Sequence, residues 1–513
     1  MSLNQNPIFL TQKRLVHRSG VLAAILIAAL IGLSLLSGLI AYLADPRGFD
    51  FRSPQEAGKM FYGWVIGVEI LVLVIGGFSR ISSTLANERK AGLWDSNRLT
   101  PLKPLDLVSG YWFGSPLREF YMGVVLAVIG LVIVLLGRLS FTFWLETQIL
   151  VASTALFFGL LGVLMGLTFT RPQGLLILLV IFIVYPFSFI APSRMLFNFF
   201  LPIYGIAHLF QDSVDPDDDW NRTPELFGLH LDPVLLSISL QLIIGIFLWR
   251  AAGRKTSNPF QSPLLRREAV VLFGILVFIQ HGLLWGLWRG QFPILVHSQN
   301  KFYDSESMLP MVQGGTMLLG LVVLAFASPQ PERVRVESLR LGFKNLGAIF
   351  PRSAVWLALV LTTVAAVALL MQCFLSIAYT WKAYVAAAGN LLEFFLIISF
   401  LLEYCRLRFR RRALGFMALW LFVLCILPFI LGGVFTTSAL GDMSLLSPGI
   451  KALAEQFTNN TPGPHGLDLH VADENVLLGM VGAHFCIAFL CFLLWRREWM
   501  RLLSKTSSAA PAQ

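Results

Sequence analysis

Charge is scarce in this sequence. Asp, Glu, Lys and Arg make up 13% of its 513 residues, while 56% are hydrophobic. Ordinary soluble domains carry about 25% charged residues, so an ordinary soluble globular class is excluded. Short alternating segments of the kind that build a membrane β-barrel are absent as well. The five cysteines, Cys373, Cys405, Cys425, Cys486 and Cys491, lie in or beside apolar segments with no Cys-x-x-Cys pair. Neither a disulfide framework nor a zinc site is implied. No Gly-x-x-x-x-Gly-Lys-Ser/Thr loop is present, so ATP is not held through a P-loop of this chain. Gly-x-Ser-x-Gly and His-Glu-x-x-His are missing too. The expectation is a protein that is not an enzyme and carries no metal or cofactor of its own.

What the sequence has is apolar length. Runs long enough to cross a hydrocarbon core of about 30 Å recur from end to end. Twelve spans are expected, at about 20–44, 61–79, 119–137, 144–169, 174–193, 233–250, 269–288, 308–328, 354–377, 384–404, 413–435 and 475–495. The fold class is therefore all-α, a polytopic membrane protein. The run Gly20–Ala44 is too long for a secretory signal core of about 7–15 residues and reads as a retained span.

Basic residues set the orientation. With the N-terminus inside, Lys13, Arg14, Arg18, Arg89, Lys90, Arg254, Lys255, the cluster Arg406–Arg412 and Arg496–Arg501 all fall on the inner side. About three quarters of all Lys and Arg then lie inside, as the positive-inside rule requires. Both termini are expected in the cytoplasm, with the protein in the plasma or inner membrane. The pI near 9.5 follows from this asymmetry and from anionic lipid, and no nucleic-acid partner is needed.

A polar segment interrupts the apolar pattern after the second span: Asn87-Glu88-Arg89-Lys90-Ala91-Gly92-Leu93-Trp94-Asp95, then Leu99-Thr100-Pro101-Leu102-Lys103-Pro104-Leu105-Asp106, closing on Gly110. Ser82-Ser83-Thr84 can cap a helix that Glu88 and Arg89 extend, and Gly92 can end it. Leu93 and Trp94 would form an apolar knob of the sort that fills a partner's pocket. Thr100-Pro101 breaks any further helix. Upstream, Asn6–Arg18 places Ile8, Phe9, Leu15 and Val16 on one face with basic residues elsewhere, which suits a helix at the inner interface.

This segment resembles the coupling region of type-2 ATP-binding-cassette (ABC) exporter permeases, with its Glu-Arg-x-x-Gly pattern, Thr-Pro-Leu turn and closing Gly. Leu93 stands where that family has threonine, and Trp94 is bulkier than its usual residue. The resemblance implies a permease subunit that moves a substrate, not identifiable from the sequence, using ATP bound by a separate ATPase subunit. Glu88, Arg89, Gly92, Trp94, Asp95, Thr100, Pro101 and Leu102 would then be the ATPase-coupling residues. The family also carries an interfacial helix before its first span.

The chain further reads as two parallel six-helix repeats. Long outer loops at 194–232 and 436–474 each precede the last span of a half. They share Gly-Ile-x-x-Leu at Gly205–Leu209 and Gly449–Leu453, with Pro202 and Pro448 upstream, and an Asn-Pro pair opens each half at Asn6-Pro7 and Asn258-Pro259. The expected organisation is 1–250 as the first half, 251–268 as a cytoplasmic linker, 269–505 as the second half and 506–513 as a disordered tail. The second half's equivalent segment, Pro329–Ser353, lacks the Thr-Pro-Leu turn.

Among intramembrane acids, Glu69 in span 2 is the candidate wall of a translocation pathway, because its span continues into the polar segment. Glu393 falls in span 10, Glu146 at the start of span 4, and His281 and His484 in spans 7 and 12. Two alternatives stand beside the ABC reading. One is an ATP-independent secondary transporter or lipid flippase; the other is a membrane enzyme or scaffold built on Asp215–Asp219.

Overall fold

The computed structural model describes residues 5–18, 20–44, 53–98, 101–168, 196–200, 203–210, 224–259, 261–284, 305–328, 353–375, 381–409 and 474–507, with a few positions between 416 and 424. The expected span 174–193, most of span 413–435, Thr100, Asp212–Asp219, the segment 329–352, both sites of the second outer loop's repeat and the tail 508–513 lie outside the described residues. The described parts of the other expected spans lie largely on helices, with residues 169, 285–288 and 376–377 also outside the described residues. Among the described residues, seven helices are long and apolar enough to cross a membrane, and the chain is an all-α, multi-pass membrane protein.

It divides into two compact units, one of Met1–Pro224 with His230–Pro259, the other of Glu225–Leu229 with Phe260–Gln513. In the first unit the helices are α1 (Pro7–Arg18), α2 (Val21–Ala44), α3 (Pro54–Lys90), α4 (Leu93–Arg98), α5 (Pro104–Gly114), α6 (Leu117–Leu136), α7 (Phe141–Thr168), α8 (Leu196–Phe200), α9 (Ile203–Phe210) and α10 (Pro233–Ser257). Helix α2 packs on α6, α3 on both α6 and α7, and α7 on α10. The second unit holds α11 (Arg266–Leu283), α12 (Ser305–Ala327), α13 (Ala354–Leu375), α14 (Trp381–Phe409) and α15 (Glu474–Ser507). There α11 packs on α12 and α13, α14 on both α12 and α13, and α15 on α14.

Several local expectations are corrected. Ser82-Ser83-Thr84 starts no helix, because these residues lie well inside α3, which is helical from Pro54 through Lys90. Its real cap is Ser53, whose hydroxyl accepts from Glu56 N at 3.2 Å, with Pro54 in the first turn. The Ser82 and Ser83 hydroxyls instead donate to the carbonyls of Ser79 and Arg80 at 3.3 and 3.1 Å. Such back-bonding satisfies a serine without ending the helix. One π-helical turn, Leu71–Gly76, interrupts α3 just after Glu69.

Within the expected linker 251–268, residues 251–257 are helical and α11 begins at Arg266. Helix α10 continues to Ser257, with Ala251, Ala252, Lys255 and Thr256 buried. Lys255 is held there by donating to the Pro259 carbonyl. The two Asn-Pro pairs also play opposite parts. Asn6 precedes α1 and accepts from the Ile8 and Phe9 amides at 3.0 and 3.4 Å, whereas Asn258 ends α10 in an extended conformation.

Candidate functional site

The segment 87–110 folds as a braced elbow. Helix α3 stops because Gly92 adopts φ +75°, the left-handed conformation that closes many helices and suits a residue without Cβ. The Ala91 amide donates to Asn87 O at 2.9 Å and Gly92 N to Arg89 O at 3.3 Å, which consumes carbonyls of the last turn. After the short α4, Lys103 is extended and Pro104 opens α5, where a missing N–H costs nothing. The new helix thus opens at Lys103-Pro104, three residues beyond Thr100-Pro101.

Glu88 is the hub. Its Oε1 accepts from Gln12 Nε2 on α1 at 2.9 Å, and its Oε2 accepts from the Tyr111 hydroxyl on α5. Asn97 Nδ2 on α4 donates to the same hydroxyl at 2.8 Å. Four helices therefore meet at one carboxylate and one phenol. Burial first, and then the neighbouring Glu88 carboxylate, push the Tyr111 phenol above its ordinary range, so it stays a donor.

The neighbouring side chains close the elbow with apolar contact. Trp94 is 3% exposed and its ring lies 5.5 Å from that of Tyr111. Ile8, Ile81, Leu85, Leu107, Val108 and Val163 belong to the same cluster, with Leu102 against its edge. Trp94 is therefore not the projecting knob that the sequence suggested, since the cleft between α3 and α5 takes the indole first. Leu93 does project, at 56% exposed.

Arg89 also turns inward. Its Nη1 donates to Gly166 O at 3.1 Å, near the C-terminal end of α7, where a cation complements the helix dipole. Asp95 is exposed and lies within electrostatic reach of Arg89. Pro101 is exposed as well. Of the residues expected to couple, then, Glu88, Arg89 and Trp94 brace the elbow, Gly92 shapes it, and Asp95 and Pro101 face outward.

Helix α1 belongs to the same structure. Asn6 Nδ2 donates to Asp106 O at 2.6 Å. A Cβ on Gly110 would meet Ile8 Cβ at 2.9 Å and Asn6 Oδ1 at 3.0 Å, so only glycine allows α1 this close to α5. The buried face of α1 is carried by Ile8 and Gln12, while Leu15 is exposed. Gln12, Asn97 and Tyr111 were not singled out from sequence. Their partners lie up to 76 positions away, and no local pattern links them.

Glu69 is 2% exposed. Gln148 Nε2 on α7 donates to Glu69 Oε2 at 3.0 Å and to the Tyr62 hydroxyl at 3.4 Å. Tyr62 in turn stacks on Phe210 and meets Phe143 edge to face. Glu69 thus sits in a satisfied, buried polar contact between α3 and α7, two residues before the π-helical turn. Glu146 is exposed. His281 is buried, its Nδ1 2.7 Å from Val277 O within its own helix.

Among the described residues, no group of His, Cys, Asp and Glu could hold a metal ion. No family model, curated protein or solved structure matches this chain.

Proposed function

We propose that the chain is the membrane permease subunit of an ABC transporter, and that residues 87–110 form its contact with a separate ATPase. The observation that carries this reading is the bracing of the elbow. Helices α1, α3, α4 and α5 are tied together through Glu88 and Tyr111, so a push on α4 is passed to α3 and α1 as one body. A loose inner loop would absorb the same push locally. A lever of this kind is what a transporter needs to turn a partner's closure into a change of shape across the membrane. The exposed Leu93, Asp95 and Pro101 would meet the ATPase, and the buried Trp94 would keep its platform stiff.

In this reading both termini are cytoplasmic, the protein lies in the plasma or inner membrane, and substrate is exported. The full set is twelve spans in two parallel six-helix repeats. Similar helix pairings in the two units favour the repeat: first with second and third, second with fourth, and fourth with last. ATP is bound by the partner, and the π-helical turn beside Glu69 would supply the compliance in the pathway wall, since such turns concentrate at functional sites.

The test is reconstitution. Co-purification from native membranes should bring down a P-loop ATPase, and transport should require ATP. Leu93→Asp should release that ATPase while leaving the permease folded. Retention of the partner by Leu93→Asp together with Pro101→Asp would refute the assignment. Transport driven by a proton gradient without ATP, and lost in Glu69→Gln, would favour the secondary transporter.

A further inference from the structure

The second unit buries an acid beside a base at the level of the membrane. Glu393 lies in α14, within a stretch apolar enough to span. Its side chain is 0% exposed, and its Oε2 stands 3.4 Å from Nδ1 of His484 on α15, itself 3% exposed. One turn earlier on α14, Asn390 Oδ1 accepts from Gln313 Nε2 of α12 at 2.6 Å. Three helices thus bring polar side chains to one level.

The geometry of the pair is unfinished. A strong charge-assisted hydrogen bond closes to about 2.7–2.9 Å, and this contact is longer. Neither Glu393 oxygen has a hydrogen-bond partner among the described residues. A lone carboxylate at that depth is costly, and Glu403 shows what a satisfied one looks like. In the same helix, Glu403 accepts from the Ala354 amide, from Trp495 Nε1 at 2.5 Å and from Trp499 Nε1 at 3.4 Å. Glu393 has no such set of donors; His484 and the Asn390 side chain are the polar groups that act on it.

We propose that Glu393 and His484 form an intramembrane proton-binding site, distinct from Glu69 and from the elbow. Uptake of one proton converts a carboxylate and a neutral imidazole into a pair of zero net charge. That pair is either a carboxyl beside an imidazole or a carboxylate beside an imidazolium; only an O–H or an N–H bond forms, and the proton comes from water. Occupancy of the site then sets how firmly α14 and α15 hold together.

Other titratable and charged groups on the packed helices include Glu306 in the first turn of α12, Cys373 near the end of α13, Lys382, Tyr384, Tyr404 and Arg408 on α14, and Glu498 on α15. Cys405 faces Cys491, Cys486 is exposed, and Arg406 is engaged at the Glu403 end, donating to Ser328 O and Ala325 O at 3.3 and 3.2 Å. The basic residues Arg496, Arg497 and Arg501 follow Trp495 at that same end of α15.

The experiment is an infrared pH titration of the purified full-length chain between about pH 5 and about pH 9, a window that brackets the ordinary histidine range. Wild type should show a carboxyl signal that titrates in this window and vanishes in Glu393→Gln. In His484→Gln its midpoint should move by at least about one pH unit, and Glu393→Asp should keep a titrating but displaced signal. The proposal is overturned if wild type and Glu393→Gln give the same difference spectrum, or if His484→Gln and Glu393→Asp both leave the midpoint in place. No ATPase is needed, so this result is independent of the permease assignment.

Discussion

Glu88 and Gln12 are 76 positions apart, yet Gln12 Nε2 donates to Glu88 Oε1 at 2.9 Å. This single contact makes the N-terminal helix part of the elbow. The Tyr111 hydroxyl donates to the other Glu88 oxygen, so the carboxylate is clamped from α1 on one side and α5 on the other. A carboxylate held in this way transmits displacement, because neither partner can move without breaking a charge-assisted bond.

Removing the phenolic donor should loosen the elbow without emptying its core. Tyr111→Phe keeps the ring against Trp94 but leaves Glu88 short of a partner, a loss of about 1–3 kcal/mol. The thermal midpoint of the purified chain should fall. Tyr111→Phe combined with Glu88→Gln should cost less than the sum of the two single changes, since they share one bond. Strict additivity in that cycle would show that the hub is not coupled.

Gly92 has φ +75° and nothing near its missing Cβ. Substitution there should therefore be penalised by backbone alone, at roughly 1–2 kcal/mol for alanine. Asparagine, which tolerates this conformation better, should be milder, and valine worse than either. Equal stability of Gly92→Asn and Gly92→Val would contradict the assigned conformation.

Gly110 makes the opposite prediction, because space and not φ is limiting. Gly110→Leu should force α1 off α5 at a cost of about 1–3 kcal/mol. Limited proteolysis should then cut within 7–18 while α2 onward stays intact. An unchanged digestion pattern would mean that α1 is not held there.

In the second unit, Glu403 joins the start of α13 to Trp495 and Trp499 of α15. These three donors hold its carboxyl group where α13, α14 and α15 meet. Glu403→Ala removes one member of a buried network and should cost about 3–5 kcal/mol. Trp495 fluorescence should report a more polar setting, and Glu403→Gln should recover part of the loss.

Much of the framework was legible because membrane spans are written in apolar length. The ends of α2, α6, α7, α12 and α13 lie within about three residues of the ranges read from hydropathy, since hydrocarbon thickness fixes them. The position of the elbow was legible from Gly92 and from the prolines that follow. The roles of Glu88, Arg89 and Trp94 were not. A polar run after a span looks like surface, but these side chains find partners on α1, α5 and α7 that only tertiary packing supplies. Glu69 and Glu393 illustrate the same limit: each was visible as an intramembrane acid, while Gln148 and His484 were not visible as their neighbours.

The central claim is that an external ATPase grips the elbow at its exposed tip. A photocrosslinking amino acid placed at Leu93 in the full-length chain, activated in native membranes and followed by mass spectrometry, tests it directly. The account predicts one dominant adduct with a P-loop ATPase, lost when the probe is moved to the lipid-exposed Leu22 of α2. Adducts with lipid alone, or with a protein from the opposite side of the membrane, would contradict it.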